Sequence, residues 1–320
     1  MNRNTFNTII GFTLILGLFL SCGNKPKNTK VEQDYQKAAR YFVADESFSP
    51  ILNEALDVFL YKSILDTLEA KYTNEQDAVK ELMNLKTWLA FTTRDFTAKE
   101  RQNLIDRKYL PRTIAIAYDG LAIIVNNANP DTCITVKDFK RILKGELVNW
   151  KDLYPTSKLG TIDVVFDNPL SSTVRWCVDS LLGGKEFKAP NIGAVKSSAA
   201  VIDYVEKHEN SLGIIGSNWL NDSRDTTNVT FKKNITVMKV SRLDSATVAN
   251  SWRPYQYYIY NGNYPLIRTI YAILNEPRSG LPSNFAHFCR LPKGQLLIQK
   301  SGLLPIQYGM NNRTIFVNNQ

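Results

Sequence analysis

The stretch TIAIAYDGLAIIV, residues 113–125, decides the fold. Its first half alternates the apolar residues Ile114, Ile116 and Tyr118 with smaller ones, and residues 121–125 are apolar without a break. Strands in globular proteins usually contain 3–10 residues, so this run is unusually long. Asp119-Gly120 interrupts it in the middle. A long strand with a central break predicts a chain that passes from one lobe of the molecule to another.

Helix and strand signals alternate on both sides of this strand and predict an α/β architecture. Before it, helices are predicted from Ser49-Pro50, from a capping box at residues 73–76 and from Thr97, with a strand at residues 88–92. After it, strands are predicted at residues 162–166 and 212–216, and helices at residues 135–144, from 171, 197–205, around 285–288 and 294–300. An aromatic, strand-like stretch at residues 253–260 is predicted to cross back to the first lobe.

The start of the chain has the layout of an export signal. Arg3 is followed by an apolar run over residues 9–20, which ends at Ser21-Cys22-Gly23. The run is too short for a membrane span, which needs about 20 residues. We therefore expect a lipoprotein signal peptide over residues 1–21, with Cys22 acylated, and a tether over residues 22–37. A plain secretory peptide or a buried N-terminal helix is the alternative.

The residues beyond the tether are more than a single hydrophobic core usually supports, so two lobes are expected. The crossing stretches place the first lobe at residues 38–118 and 255–320. The second lobe is then residues 119–254.

Composition argues against several classes of protein. The formal charge of +9 is spread along the chain with no nucleic-acid-binding motif, so we expect no nucleic-acid partner. Cys133, Cys177 and Cys289 are widely spaced, which is not typical of a disulfide framework, although one bridge stays open. His208 and His287 have no metal-ligand spacing, so we expect no metal site and no cofactor. No Gly-x-Ser-x-Gly elbow is present, and an enzyme is not expected.

Three loops combine hydroxyl residues with a helix start: DESFS at 45–49, TTRD at 92–95 and SST at 171–173. The first turn of a helix carries unpaired amide N–H groups and a partial positive charge, so it favours an oxyanion. If the loops meet, Arg94 and Arg175 could add bidentate donors. A carboxylate such as Glu46 or Asp95 could accept a hydrogen bond from a protonated ligand. Taken singly, each loop is also explained as an ordinary helix cap.

Residues 136–150, VKDFKRILKGELVNW, have the pattern of a helix that ends in a G-x-(I/L)-x-N-W turn. This motif resembles one found in the phosphate-binding proteins of ABC transporters. Further similarities are SST at 171–173 in the place of S-G-T, SLGIIG at 211–216 in the place of G-A-I-G, YPLIR at 264–268, and the passages at 293–295 and 302–305. The resemblance covers residues 41–305.

The resemblance implies the type II periplasmic fold, with two lobes that each hold a mixed sheet flanked by helices. It also implies a monomeric, periplasmic lipoprotein that captures inorganic phosphate and delivers it to an ABC permease. The ligand-binding residues it suggests are Ser47, Phe48, Thr93, Arg94, Ser171, Ser172 and Thr173, with Arg175 restoring a lost charge. Two departures from the family pattern stand out. The arginine that often precedes S-G-T in the family is replaced here near Asp167, which removes a positive charge. Ser172 takes the place of the family's glycine. A different oxyanion, an organic phosphate, a sensing role and a hydrolase stay open as alternatives.

Overall fold

The computed structural model describes residues 29–61, 67–221 and 231–306. The predicted signal peptide and Cys22 lie outside the described residues. Residues 29–37 belong to a unit separate from residues 38–306. They form most of the helix α1 (Thr29–Ala39), so this part of the predicted tether is helical. Its sequence, TKVEQDYQKAA, is rich in good helix formers and contains no glycine or proline.

Strands and helices alternate through residues 38–306. The strands are β1 (Tyr41–Asp45), β2 (Glu69–Thr73), β3 (Leu89–Thr92), β4 (Arg112–Val125), β5 (Cys133–Thr135), β6 (Asp163–Phe166), β7 (Ile192–Ala194), β8 (Ser211–Gly216), β9 (Thr236–Val237), β10 (Lys239–Ser241), β11 (Ile267–Leu274) and β12 (Leu304–Pro305). The helices after α1 are α2 (Ser49–Leu60), α3 (Glu75–Met83), α4 (Ala98–Asp106), α5 (Val136–Leu143), α6 (Trp150–Leu153), α7 (Ser172–Trp176), α8 (Ser198–Lys207), α9 (Gln256–Tyr260), α10 (Leu281–Arg290) and α11 (Pro292–Lys300).

Strand β4 joins the two lobes, as its length and central break predict. Its residues up to Gly120 pair antiparallel with β11, and its residues from Leu121 onward pair antiparallel with β8. The first lobe has the strand order β2-β1-β3-β11-β4, and the second continues β4-β8-β6-β7. Gly120 lies at the change of partner, and a Cβ added there would stand 2.6 Å from the Pro254 Cβ. The crossing therefore requires glycine at this position, because the Pro254 side chain leaves no room for a Cβ.

Both faces of each sheet are buried. In the second lobe, Leu121, Ile123 and Val125 face one apolar cluster, whereas Ala122 and Ile124 face another. Successive side chains of a strand point to opposite faces, so a strand buried on both faces is apolar throughout. This arrangement accounts for the unbroken apolar run of residues 121–125.

The predicted helix starts are largely confirmed, with changes in the capping residue. The helix predicted from Thr97 is confirmed, and Thr97 forms a capping box with Glu100. For α3 the cap is Asn74 rather than Thr73, because the Asn74 side chain accepts from the Asp77 N–H. Helix α2 begins at Ser49 with a proline in its first turn, but the residue before it, Phe48, gives no side-chain cap.

The predicted second crossing strand at residues 253–260 is wrong. Residues 256–260 form the short helix α9, in which Ile259 is buried while Tyr257 and Tyr260 are exposed. Aromatic residues favour strands in general, yet here burial is confined to one helical face. The chain returns to the first lobe just before β11 instead, where the Leu266 carbonyl accepts from the Leu121 N–H at 2.8 Å.

Within the described ranges, no helix combines the length and the apolar character needed to cross a membrane. Cys133, Cys177 and Cys289 are free thiols.

Gly213→Ala tests the packing of β8 against α8. An added Cβ would lie 2.7 Å from methyl carbons of both Val201 and Val205, so overpacking should lower the free energy of unfolding by about 1–3 kcal/mol. Urea unfolding followed by circular dichroism measures the change. Gly193→Ala in β7 is the matched control, because an added Cβ there meets nothing within 4 Å. Equal stability of the two variants would contradict this packing.

Candidate functional site

Two of the three predicted loops meet where β4 passes between the lobes. Ser47 follows β1 of the first lobe, and Ser172 begins α7 of the second. Their hydroxyl oxygens are 3.3 Å apart, and both residues are buried. Thr173 is buried beside them, and Arg268 of β11 reaches all three hydroxyls. Ser47, Ser172, Thr173 and Arg268 are called the central cluster below.

Arg268 is the main functional candidate that the sequence reading missed. Its guanidinium donates to Ser172 Oγ at 2.9 Å, to Ser47 Oγ at 3.2 Å and to Thr173 Oγ1 at 3.4 Å. The Cζ atom also lies 5.1 Å from the centre of the Phe48 ring, a cation–π contact. The available signal was the charged side chain within the mainly apolar stretch LIRTIYAIL, residues 266–274.

Asp119 fixes the position of Arg268. The two residues are paired across β4 and β11, and Arg268 Nε donates to Asp119 Oδ2 at 2.8 Å. The other carboxylate oxygen accepts from the N–H and hydroxyl of Ser217 at 2.9 and 2.8 Å. Both side chains of the ion pair are fully buried. Breaking such a pair leaves an uncompensated buried charge, so the guanidinium is held firmly at the crossing.

Asp45 ties the first-lobe loop to α7. One carboxylate oxygen accepts from the Ser47 N–H at 3.0 Å and from its hydroxyl at 2.6 Å. The other accepts from the Ser172 N–H, at the start of α7, at 2.8 Å. Burial and the nearby Glu75 carboxylate raise the pKa of Asp45, although these hydrogen bonds oppose that shift.

Asp167 accepts hydrogen bonds from two hydroxyls of the second-lobe loop. It follows β6 and accepts from Ser171 Oγ at 2.7 Å and from Thr173 Oγ1 at 3.4 Å. Burial first, and then the negative charge of Asp45, raise the pKa of Asp167 to about 7. Asp167 stands before the S-S-T loop, in the region where the resembling family carries an arginine, so a donor is replaced by an acceptor.

Thr93 and Arg175 form a second contact between the lobes. The buried Glu75 carboxylate accepts from the Thr93 N–H at 2.6 Å and is ion-paired with the Arg175 guanidinium. Arg175 Nη2 also donates to Thr93 Oγ1 at 2.7 Å, and Nη1 donates to Asp179 at 2.8 Å. Each guanidinium nitrogen of Arg175 therefore has a protein partner.

Arg94 is not brought to the central cluster. Its two terminal nitrogens bind the two oxygens of Glu100 at 2.7 and 2.8 Å, and Glu100 is fixed in the capping box of α4. The Asp95 carboxylate likewise accepts hydrogen bonds from Arg101 and from the Thr113 hydroxyl. The structure therefore does not bring Arg94 together with the hydroxyl loops as predicted, and the guanidinium in the central cluster is that of Arg268.

Glu46, the other predicted acceptor, caps the second-lobe helix α8. It accepts from the Ser198 N–H at 3.0 Å and from its hydroxyl at 2.9 Å. The Ser47 carbonyl similarly accepts from Asn218 Nδ2 and Trp219 Nε1, each at 2.9 Å. The loop after β1 is thus bound to the second lobe at several points, and the two lobes are in a closed arrangement.

The comparisons with known proteins agree with this architecture. Residues 37–290 match the family model described as a PBP superfamily domain. The chain belongs to this family. It is also similar to the phosphate-binding protein PstS of Borreliella burgdorferi, at 24% identity over 310 residues that cover 93% of this chain and 98% of that protein. The resemblance to periplasmic phosphate-binding proteins is confirmed.

Two solved structures share the fold. One is a putative phosphate ABC transporter substrate-binding protein with bound phosphate from Clostridium perfringens, with a TM-score of 0.69, 20% identity and coverage of 84% of this chain and 100% of that one. The other is an ABC-type phosphate transport receptor from Vibrio cholerae, with a TM-score of 0.61, 22% identity and coverage of 82% and 98%. These similarities confirm the two-lobe α/β fold.

Asp119→Asn tests the buried ion pair. The amide keeps the shape but leaves the Arg268 charge without its partner, so the free energy of unfolding should fall by about 3 kcal/mol. Denaturant unfolding measures the loss. The exposed pair of Lys137 and Asp244 supplies the control, and Asp244→Asn should leave the unfolding midpoint unchanged. A stability of Asp119→Asn equal to that of the unaltered protein would contradict the assigned role.

The raised pKa of Asp167 predicts a pH-dependent stability. The folded protein retains this proton up to about pH 7, whereas the unfolded chain releases it near 3.8. More protons are then bound in the folded state, so the free energy of unfolding falls as pH rises through this window, by about 1.4 kcal/mol per pH unit for one proton. Asp167→Asn should flatten the slope in urea titrations, and Asp244→Asn should not. An unchanged slope in Asp167→Asn would exclude Asp167 as its source.

Proposed function

We propose that this protein captures inorganic phosphate in the cleft between its lobes and delivers it to an ABC transporter. The observation that carries the proposal is the central cluster, in which one guanidinium reaches hydroxyls from both lobes. Arginine presents planar, paired donors that match a phosphate group, and hydroxyls add adaptable donors. Phosphate named in the relatives supports the choice of ligand.

Capture follows from the position of the cluster at the crossing. When the lobes separate, Ser47 leaves with the first lobe, Ser172 leaves with the second, and Arg268 stays on the crossing strands. Phosphate that enters the gap accepts the hydrogen bonds that Arg268 donates to the hydroxyls in the closed arrangement. The lobes then close around the phosphate by a hinge motion. Among the described residues, the lobes that move are 38–118 with 267–306, and 119–266, because the chain returns to the first lobe just before β11.

The Glu75–Arg175 contact holds the closed state. It joins α3 of the first lobe to α7 of the second. In this proposal Thr93 and Arg175 act in lobe closure, and Ser171 with Phe48 positions the groups that touch the ligand. The protein binds and releases phosphate without chemical change.

The location of the protein follows from its first residues. The apolar run and Ser21-Cys22-Gly23 support export and acylation of Cys22, which would anchor a monomeric periplasmic protein to a membrane beside its permease. Mass spectrometry of the mature protein from the membrane fraction checks this part by detecting lipid on Cys22.

Arg268→Lys tests the binding proposal. Lysine keeps the charge but loses the planar fork, so the phosphate dissociation constant should rise at least about tenfold. Isothermal titration calorimetry with phosphate gives the value, with sulfate as the comparison anion and a phosphate ester as a check for turnover.

Arg94→Lys is the matched control, because the structure pairs Arg94 with Glu100 outside the cluster. It should bind phosphate with unchanged affinity. Loss of binding in Arg94→Lys with full binding in Arg268→Lys would overturn the assignment, and turnover of the ester would overturn a pure binding role.

A further inference from the structure

A cavity of about 390 Å³ lies in the first lobe, at the end where β4 begins. Its lining consists of Thr113, Ile114, His287, Arg290, Leu291 and Pro292. Thr113 precedes Asp119 by six residues along β4, and at about 3.3 Å per residue the two positions are roughly 20 Å apart. The cavity is therefore separate from the central cluster.

Arg290, the last residue of α10, brings a positive charge to this cavity without a matching acid. Its Nη1 donates to the Ala115 carbonyl oxygen at 3.1 Å, and its Nε is buried without a hydrogen-bond partner. Among the residues that the structure describes, no carboxylate is ion-paired with Arg290 and no group accepts from its Nη2. Buried or half-buried charges in proteins are usually paired, so the guanidinium lacks an acceptor of opposite charge.

The surroundings of Arg290 add further positive charge and donors. His287 lies one helical turn earlier, lines the same cavity and is exposed, so its ring N–H can reach a ligand. The bordering stretches 112–114 and 287–293 contain three Lys or Arg side chains and no acid. Helix α11 begins at Pro292 without a side-chain cap, and its first turn adds a partial positive charge. These groups together favour an anion.

The acid that reaches the lining does not offset this charge. The Asp95 carboxylate accepts from the Thr113 hydroxyl, but it is also ion-paired with Arg101 at 2.8 Å. Its negative charge is therefore already matched by a cation outside the lining.

The rest of the lining is apolar. Ile114, Leu291 and Pro292 form this part, and the Leu291 side chain is 56% exposed although it borders a concave surface. Pockets of about 300–1,000 Å³ with an apolar lining and a few polar groups typically hold small molecules. The cavity is thus suited to a ligand that combines a charged group with an apolar body.

We propose that this cavity binds a small organic anion, whose acidic group pairs with Arg290 and His287 and whose apolar body packs against Ile114, Leu291 and Pro292. Carboxylates and phosphate monoesters both offer the oxygen pairs that a guanidinium binds well. The site goes beyond the proposed capture of phosphate and does not depend on which ligand occupies the cleft.

Calorimetric titration of the phosphate-saturated protein with benzoate and with phenyl phosphate tests the proposal. At least one of the two probes should bind saturably, one molecule per chain, with a dissociation constant below about 1 mM. Benzamide, which has nearly the shape of benzoate but no charge, should bind at least about tenfold more weakly than the better probe. Absence of saturable binding by both anions, or equal binding of benzamide, would overturn the inference.

Arg290→Gln tests the charge. Glutamine can still donate to the Ala115 carbonyl but carries no charge, so the dissociation constant of the bound probe should rise at least about tenfold. His287→Ala, at an exposed position, should raise it at least about threefold and carries the test if the unfolding midpoint of Arg290→Gln shows that this variant does not fold.

Lys293→Gln is the matched control, because it removes the same charge from a neighbouring exposed residue that does not line the cavity. It should change the dissociation constant of the probe less than about twofold. Equal weakening in Lys293→Gln and Arg290→Gln, or no weakening in both Arg290→Gln and His287→Ala, would show that the assigned site is wrong.

Phosphate binding separates this site from the cleft. Arg290→Gln should bind phosphate with the affinity of the unaltered protein, whereas Arg268→Lys should bind the probe with unaltered affinity. Loss of probe binding in Arg268→Lys would place the probe in the cleft and overturn the inference, while the phosphate affinity of that variant tests the proposed function on its own.

Discussion

The buried ion pair between Asp119 and Arg268 is the constraint on which the site depends. The two residues are direct partners across β4 and β11, at the point where β4 changes from one lobe to the other. Their position is thus set by backbone pairing as well as by charge. Gly216 allows the approach, because a Cβ there would come within 2.9 Å of Asp119 and 3.0 Å of Arg268. A guanidinium held in this way offers its remaining donors to whichever lobe closes over it.

Closure of the lobes is distributed over several small contacts. Asp45 reaches the Ser172 amide, Glu46 caps α8, and Glu75 pairs with Arg175. Each of these acids belongs to the first lobe and each partner to the second, so the interlobe surface is polar. Polar contacts can exchange for water when the lobes separate, which suits a protein that must open to release its ligand.

Much of the fold was predictable because local signals and tertiary pairing agree. The break at Asp119-Gly120 marks the change of partner, and Thr97 with Glu100 forms the box that its spacing indicates. Pairings that depend on distant residues were not predictable. Arg268 and Asp119 are far apart in sequence, and no local pattern links them. Arg94 was misplaced because the same Glu100 that caps α4 also binds its guanidinium. Residues 253–260 were misread because aromatic content does not distinguish a strand from a short helix with one buried side.

A crystal structure determined with saturating phosphate tests the central claim most directly. The account predicts tetrahedral density between the lobes, within hydrogen-bonding distance of the Arg268 guanidinium and the hydroxyls of Ser47 and Ser172. Arg268 should keep its bond to Asp119 while its other donors turn from the serines to the ligand. Density at another location, with Arg268 still donating to Ser47 and Ser172, would contradict it.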